Sequence, residues 1–375
     1  MNRREFLGQT AVGLASLSVA SSYASPAKKN VIKGKSSQTF KAKMGDIRAV
    51  YMQIGNNMWC DYPTEVMGKT PQEGAQFLSK KPDLELVCKD ELWRKSLDRM
   101  AELGLNMVVV DLGEGLYYPS HPELAIKGTW SIEKMQEEIE RLNKQGIEVI
   151  PKLTFSTTHN GWMGDYTHMV SSKPYYRMCE EVIHDVVEIF GHPRFFHIGY
   201  DEESASFQDG HGYQYVCARK DDFWWKDFYH IVDTVEKNGA RAWMWSDYGW
   251  HHDDFCEKCP KNVMQQNWYY DSQNGGFDLK TNKTSDLKRL EFFLKLDEAG
   301  FDQVPCGTNW VGSVRKKLNI GADDVMGKLV KFCREHISQE HLQGFMMAPW
   351  TATDTPEHLK HILNGINQLA EAIRQ

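Results

Sequence analysis

From Arg48 onward the chain alternates between short apolar runs and longer stretches of helical period. The short runs are Arg48–Ile54, Met107–Asp111, Glu148–Leu153, Phe195–Gly199, Ala242–Ser246, Val263–Trp268, Gln303–Cys306 and Gly344–Ala348. Each has the length of a strand buried on both faces. Between most of them lie segments with apolar residues spaced three and four apart, which build one apolar helix face. Ile132, Met135, Ile139 and Leu142 form one such face; Leu359, Ile362, Leu363, Ile366, Leu369 and Ile373 form another. Gly104 and Gly146 mark helix ends, and Gly191-His192-Pro193 is a helix stop before the fourth run. Eight strands alternating with helices predict a parallel sheet, and eight is the number that closes a (β/α)8 barrel. The expected fold is α/β, a single TIM barrel over residues 46–375. The expected exception lies between strands five and six, where Tyr248 to Asn262 reads as an irregular segment. No Gly-rich phosphate loop follows an early strand, and no repeat of solenoid period is present.

The N-terminus reads differently. Arg3-Arg4-Glu5-Phe6-Leu7 precedes a modestly apolar run from Ala11 to Ala20, then small residues at Ser22, Ala24 and Ser25. This is the layout of an export signal, and the Arg pair points to the twin-arginine route. Residues 1–26 are therefore expected to be a signal, 27–45 a polar linker, and the mature protein periplasmic or extracellular. The apolar run is too short and too rich in Gly, Ser and Thr to span a membrane, and no Cys near the expected cleavage point offers a lipid anchor.

The formal net charge of −7 comes without any clustering of Lys and Arg, which argues against nucleic acid as a partner. Eight cysteines are scattered along the chain, and only Cys256-Glu-Lys-Cys259 is tightly spaced. That pair admits a disulfide, half a zinc site with His251 and His252, or two plain thiols; a structural role is favoured over a metal site. The 12 Trp and 15 Tyr are more informative. About half are expected in the core, but many fall at strand exits, where flat faces can stack on sugar rings.

Active sites of such barrels form at the carboxyl ends of the strands. Those ends carry Asn56, Asn57 and Trp59; Asp111 and Glu114; Thr158, His159 and Trp162; Asp201, Glu202 and Glu203; Trp245 and Asp247; Trp268, Tyr269 and Asp271; Asn309 and Trp310; Trp350, Thr351 and Asp354. Carboxylates and indoles at every exit suit an oligosaccharide or glycoconjugate. His197, Gly199 and Asp201 are expected on one strand face by alternation. Adjacent acids at Asp201-Glu202 repel in a confined site, so one stays protonated near neutrality, as general-acid cleavage of a glycosidic bond requires. His159 could pair with Asp111 or Asp201 as a proton relay.

His197-Ile198-Gly199-Tyr200-Asp201-Glu202 resembles the His-x-Gly-Gly-Asp-Glu strand of family 20 glycoside hydrolases, the β-N-acetylhexosaminidases. Leu105 to Asp111, Gly146 to Pro151, Met244 to Asp247, Gln265 to Trp268 and Gly344 to Trp350 are similar to that family's second, third, fifth, sixth and eighth strands. The resemblance implies substrate-assisted retention, in which the 2-acetamido oxygen of the sugar attacks the anomeric carbon. Glu202 would then be the general acid and base, and Asp201 would orient the acetamido nitrogen. Trp245, Trp268 and Trp350 would wall the sugar, and Tyr269 or Tyr270 would bond the acetamido oxygen. No cofactor or metal is implied. The chain departs from the family where an Arg commonly ends strand one (here Gly55-Asn56-Asn57), where strand three continues Pro-Glu-Ile-Asp (here Pro151-Lys152-Leu153-Thr154), and where strand eight ends Trp-x-Glu (here Trp350-Thr351-Ala352). His159 is the counterpart of the family's His after strand three. The family's accessory domain ahead of the barrel is not expected in this sequence.

Three other readings compete. One is a two-carboxylate glycosidase pairing Glu202 with Glu114 or Asp247. Another is a sugar-binding barrel without turnover. The last is a metal-dependent hydrolase using His159, His168, His251 or His252, which lacks any tight ligand pair.

Overall fold

The computed structural model describes residues 40–56, 84–210, 216–270, 276–282, 286–310 and 325–375. Asn57, Trp59, Cys60, Asp271 and the segment up to residue 39 lie outside the described residues.

Eight parallel strands appear at or beside the predicted apolar runs, the seventh sharing only Cys306 with its run: β1 Ile47–Gln53, β2 Met107–Asp111, β3 Glu148–Lys152, β4 Phe195–His197, β5 Arg241–Trp245, β6 Met264–Gln266, β7 Cys306–Gly307 and β8 Gly344–Met347. The sheet runs β6-β5-β4-β3-β2-β1-β8-β7. The bridges Gln265 to Gln303 and Trp268 to Cys306 join its two ends. The result is a single (β/α)8 barrel. Helices α1 Asp90–Glu102, α2 Ile132–Lys144, α3 Lys173–Ile189, α4 Ala205–Gly210, α5 Asp221–Lys237, α6 Phe255–Lys258, α7 Leu287–Glu298, α8 Val325–His336 and α9 Pro356–Arg374 follow in order. Ser131, Ser172 and Thr355 cap α2, α3 and α9 by accepting the backbone N–H three residues on. Between β5 and β6 the chain forms a short 3-10 turn, Asp247–Trp250, and the one-turn α6, so the irregular segment expected there is present.

Alternation sorts the strand residues. Ala49 and Tyr51, Met107 and Val109, Ile150, Phe195, Trp243 and Trp245, Met264, Cys306 and Met346 share one buried cluster. These sit two apart along their strands, so they fill the barrel lumen in layers. Continuing the same period toward the strand ends gives Gln53, Asp111, Lys152, His197 and Gln266. All are buried. The lumen therefore changes from apolar to polar just below the catalytic end. Gly344 fits where β8 crosses close to β1: a Cβ there would lie 2.0 Å from the Ile47 carbonyl oxygen.

The described end of the expected linker is not a free tether. Ala42 is buried; its N–H donates to Glu148 Oε2 at 2.8 Å and its carbonyl accepts from Arg194, while the Phe40 N–H donates to Asn143 Oδ1. Cys256 and Cys259 are both free thiols. Cys259 is buried and Cys256 partly so, and burial pushes both thiols upward in pKa. Among the described residues no group of His, Cys, Asp and Glu could hold a metal ion. No helix of the described residues is long and apolar enough to cross a membrane.

Candidate active site

The strand that carries the Asp-Glu pair stops early. β4 ends at His197, and Gly199, Tyr200 and Glu202 take positive φ of 70°, 74° and 52°. The expected alternation of His197, Gly199 and Asp201 therefore fails beyond the strand, and a left-handed turn aims the pair instead. Gly199 is the residue that permits it. A Cβ at Gly199 would sit 2.8 Å from Thr154 Cα on β3's exit. Tyr200 occupies a left-handed position that the family pattern gives to Gly, and its ring packs edge-on against Trp224 and Phe228 of α5. His197 braces the turn from below. Its Nδ1 accepts the Gly199 N–H at 3.1 Å, and its Nε2 lies 2.9 Å from Gln266 Oε1. Burial, then the neighbouring Lys152 charge, hold this imidazole well below its usual pKa. It is therefore neutral, with Nε2 the donor.

A cavity of about 320 Å3 opens at the carboxyl end of the barrel, lined by Asp201, Glu202, Phe207, Trp245, Trp268, Tyr270, Trp310 and Trp350. All but Phe207 belong to the candidates read from the sequence. Phe207 comes from α4, one turn past the acid pair; an aromatic so soon after Asp201-Glu202 was the available signal. Trp350, itself at positive φ, stands 5.4 Å from Trp245 and 4.8 Å from Tyr51 between ring centroids. Its Nε1 donates to Tyr270 Oη at 2.9 Å. Trp268 and Tyr270 stack at 4.8 Å. Trp310 is 47% exposed at the rim.

His159 Nε2 lies 3.1 Å from Glu202 Oε2 and 3.8 Å from Asp201 Oδ2, so it faces both acids. Two buried polar atoms of lining residues, Asp201 Oδ1 and Trp245 Nε1, have no hydrogen-bond partner among the described residues. Buried groups of this kind carry a desolvation cost that a polar ligand relieves.

The other sequence candidates are placed elsewhere. Asp111 is fully buried below the cavity, where its Oδ2 accepts from Lys152 Nζ at 2.5 Å and Tyr51 Oη at 2.7 Å. Burial raises its pKa despite the Lys152 charge. Glu114 Oε1 accepts the Asn56 N–H at 2.6 Å. Trp162 is buried against Tyr118 and Phe155, and its Nε1 donates to the Thr154 carbonyl at 2.9 Å. Tyr269 Oη donates to the Gly276 carbonyl at 2.8 Å and accepts from Asn282, on the side opposite Tyr270. Asp247 lies behind Glu202, with Oδ2 accepting the Glu202 N–H at 2.8 Å. Burial first, then Asp201 and Glu202, push the Asp247 carboxyl up to about 7. Glu203 points away into a buried network. Arg219 donates to its Oε2 at 2.6 Å, to Asp227 Oδ2 at 3.0 Å and to the Phe155 carbonyl at 2.7 Å.

No protein-family model and no curated protein matches the chain. Solved structures do. The β-N-acetylhexosaminidase from Bacteroides fragilis NCTC 9343 superposes with a TM-score of 0.55 at 15% identity, over 88% of this chain and 65% of its own. A mutant Streptomyces plicatus β-hexosaminidase in complex with its product GlcNAc gives 0.53 at 15%, over 77% and 61%. Dispersin B gives 0.50 at 17%, over 76% and 94%. The chain thus spans less than two thirds of the first two proteins, and it has the barrel fold of the family 20 β-N-acetylhexosaminidases.

Proposed function

We propose that the chain is a glycoside hydrolase that cleaves β-linked N-acetylhexosaminides, or a related modified sugar, by substrate-assisted retention. The observation that carries this reading is the adjacency of Asp201 and Glu202 on the wall of an aromatic cavity, with His159 against Glu202. Indoles of Trp245, Trp268 and Trp350 offer apolar faces to the C–H side of a pyranose and to an acetamido methyl. Asp201 accepts the acetamido N–H and holds the group so that its oxygen reaches the anomeric carbon. As positive charge develops on the oxazolinium ion, the adjacent carboxylate stabilises it. Glu202 gives its proton to the leaving oxygen, and in the second half-reaction takes one from the attacking water. Tyr270, rather than Tyr269, bonds the acetamido oxygen. Its hydroxyl already accepts from Trp350, which leaves its own proton to donate.

The substrate reading also draws on the names of the proteins that share the fold, which include enzymes acting on N-acetylglucosaminides. The two-carboxylate alternative has weaker geometry: Glu114 does not line the cavity, and Asp247 faces the backbone of Glu202. The test is hydrolysis of chromogenic β-N-acetylglucosaminide and β-N-acetylgalactosaminide beside the matching β-glucoside and β-galactoside. Turnover confined to the acetamido sugars supports the proposal. Turnover of the plain glycosides sinks the substrate-assisted mechanism, and binding without turnover of any would make this a sugar-binding barrel.

We also propose export of the mature protein through the twin-arginine route, from Arg3-Arg4 and the apolar run that follows. Retention of the precursor in the cytoplasm on Arg3→Lys with Arg4→Lys is the expected result, read by fractionation.

A further inference from the structure

Three contacts with described residues hold Glu202. Its side chain meets His159 Nε2 at 3.1 Å, its carbonyl accepts from Thr158 Oγ1 at 2.7 Å, and its N–H donates to Asp247 Oδ2 at 2.8 Å. The residue so held has φ of 52°, a conformation that a side chain with a Cβ disfavours and that persists only where surroundings fix it. Thr158 and His159 come from the loop after β3, while Asp247 comes from the 3-10 turn after β5. The loop after β4 is therefore clamped between its two neighbours, and Asp247 is the only one of the three that grips the backbone donor.

We infer that Asp247 is a positioning residue: its carboxylate fixes the left-handed backbone of Glu202 and so aims the Glu202 carboxyl at the leaving oxygen. This rests on Glu202 being the general acid proposed above. Asp247 is not among the residues lining the cavity, and its Oδ2 is engaged by the Glu202 backbone, so its action on the reaction runs through Glu202. The charged groups around it are Asp201 and Glu202, with His159 on the far side of Glu202. An oxygen acceptor at this position is what the clamp needs. An amide supplies one as well as a carboxylate does; an Ala supplies none.

That distinction sets the test. Asp247→Asn keeps an acceptor for the Glu202 N–H, and Asp247→Ala removes it. The two variants and wild type are compared on an unactivated disaccharide of N-acetylglucosamine and on its 4-nitrophenyl glycoside, whose leaving group needs little protonation. A misaimed general acid slows the disaccharide far more than the aryl glycoside. The expected result for Asp247→Ala is a loss in kcat of about a hundredfold on the disaccharide and severalfold on the aryl glycoside, with KM little changed. Asp247→Asn should stay within about tenfold of wild type on both, and removing one negative charge beside the pair should move the alkaline limb of its kcat profile to lower pH. Equal losses on both substrates would overturn the inference, as would an Asp247→Asn variant as slow as Asp247→Ala. Crystal structures of both variants separate this outcome from failure of the functional reading. If wild type cleaves no acetamido sugar, Glu202 relaxing to negative φ in Asp247→Ala but not in Asp247→Asn still supports the clamp, and an unchanged positive φ in both overturns it.

Discussion

Trp350 Nε1 donates to Tyr270 Oη at 2.9 Å in the cavity wall, tying the exit of β8 to the exit of β6. The bond occupies one acceptor site of the Tyr270 oxygen and so turns the hydroxyl proton away from Trp350. Tyr270→Phe is therefore expected to remove one neutral hydrogen bond to the acetamido oxygen as it becomes the nucleophile. Such a bond is worth about 1–3 kcal/mol, or roughly fivefold to 150-fold in kcat/KM. Trp350→Phe keeps an aromatic wall but frees the hydroxyl to rotate, so a smaller loss is expected. Steady-state kinetics on an N-acetylglucosaminide distinguish the two; a Trp350→Phe defect larger than that of Tyr270→Phe would show that the indole's own contact with the sugar outweighs the Tyr270 hydrogen bond.

Asp201 and Glu202 are adjacent in sequence but have different jobs, and their amide variants should differ. Glu202→Gln removes the proton donor, so its deficit of about a hundredfold to ten-thousandfold should shrink as the leaving group improves. Asp201→Asn leaves the proton donor intact but weakens control of the acetamido nucleophile, so its deficit should persist with good leaving groups. Comparing methyl, 4-nitrophenyl and dinitrophenyl glycosides checks this. Parallel losses for both variants along the series would sink the division of roles.

Some of this was legible in the chain and some was not. The strands could be read because each is a short apolar run whose period of two survives to its last residue, as Met107, Val109 and Asp111 show on β2. Aim beyond a strand end could not. Trp162 lies one loop past β3, and the 3-10 segment Gly161–His168 folds its indole down onto Tyr118 and Phe155. Tyr269 and Tyr270 are neighbours, and choosing between them needs the bridge from Trp268 to Cys306, which sets the side each faces. The turn at Asp201-Glu202 depends on three left-handed residues, two of them not glycine, which no propensity scale anticipates.

Asp247 also ties stability to pH. Its folded pKa is raised from 3.8 to about 7, so burial favours the protonated form. The contribution is fully present below about pH 4 and is lost as pH rises through about 7, since the unfolded chain ionises first. Asp247→Asn cannot ionise and keeps an acceptor for Glu202. The difference in Tm between Asp247→Asn and wild type should therefore move in favour of the variant as pH rises from 4 to 8. Scanning calorimetry across that range checks the sign, and a difference that stays flat would show that the carboxyl titrates as it would in water.

The ion pair of Lys152 and Asp111 makes a sharper claim, because both side chains are almost wholly removed from water. Lys152 stands where the family pattern has a carboxylate, and it turns inward under the cavity to meet Asp111 at 2.5 Å and Thr154 Oγ1 at 2.5 Å. The pair's own net value is small, since desolvation offsets its attraction; what is costly is leaving one member alone. Lys152→Met should destabilise the barrel by about 3–5 kcal/mol at pH 8, where Asp111 must either stay charged without a partner or take up a proton. Near pH 4 the loss should be smaller. Removing Lys152 raises the Asp111 folded pKa further, and a carboxyl with a raised pKa loses stability as pH climbs from its unfolded pKa up through its folded one. Adding Asp111→Leu to Lys152→Met removes the stranded charge, so the double variant should recover most of the stability and lose the pH dependence. Urea unfolding of the single and double variants at both pH values closes the cycle. Additive losses in the double variant would mean that the two residues contribute separately, and that the polar layer beneath the cavity is not organised around their contact.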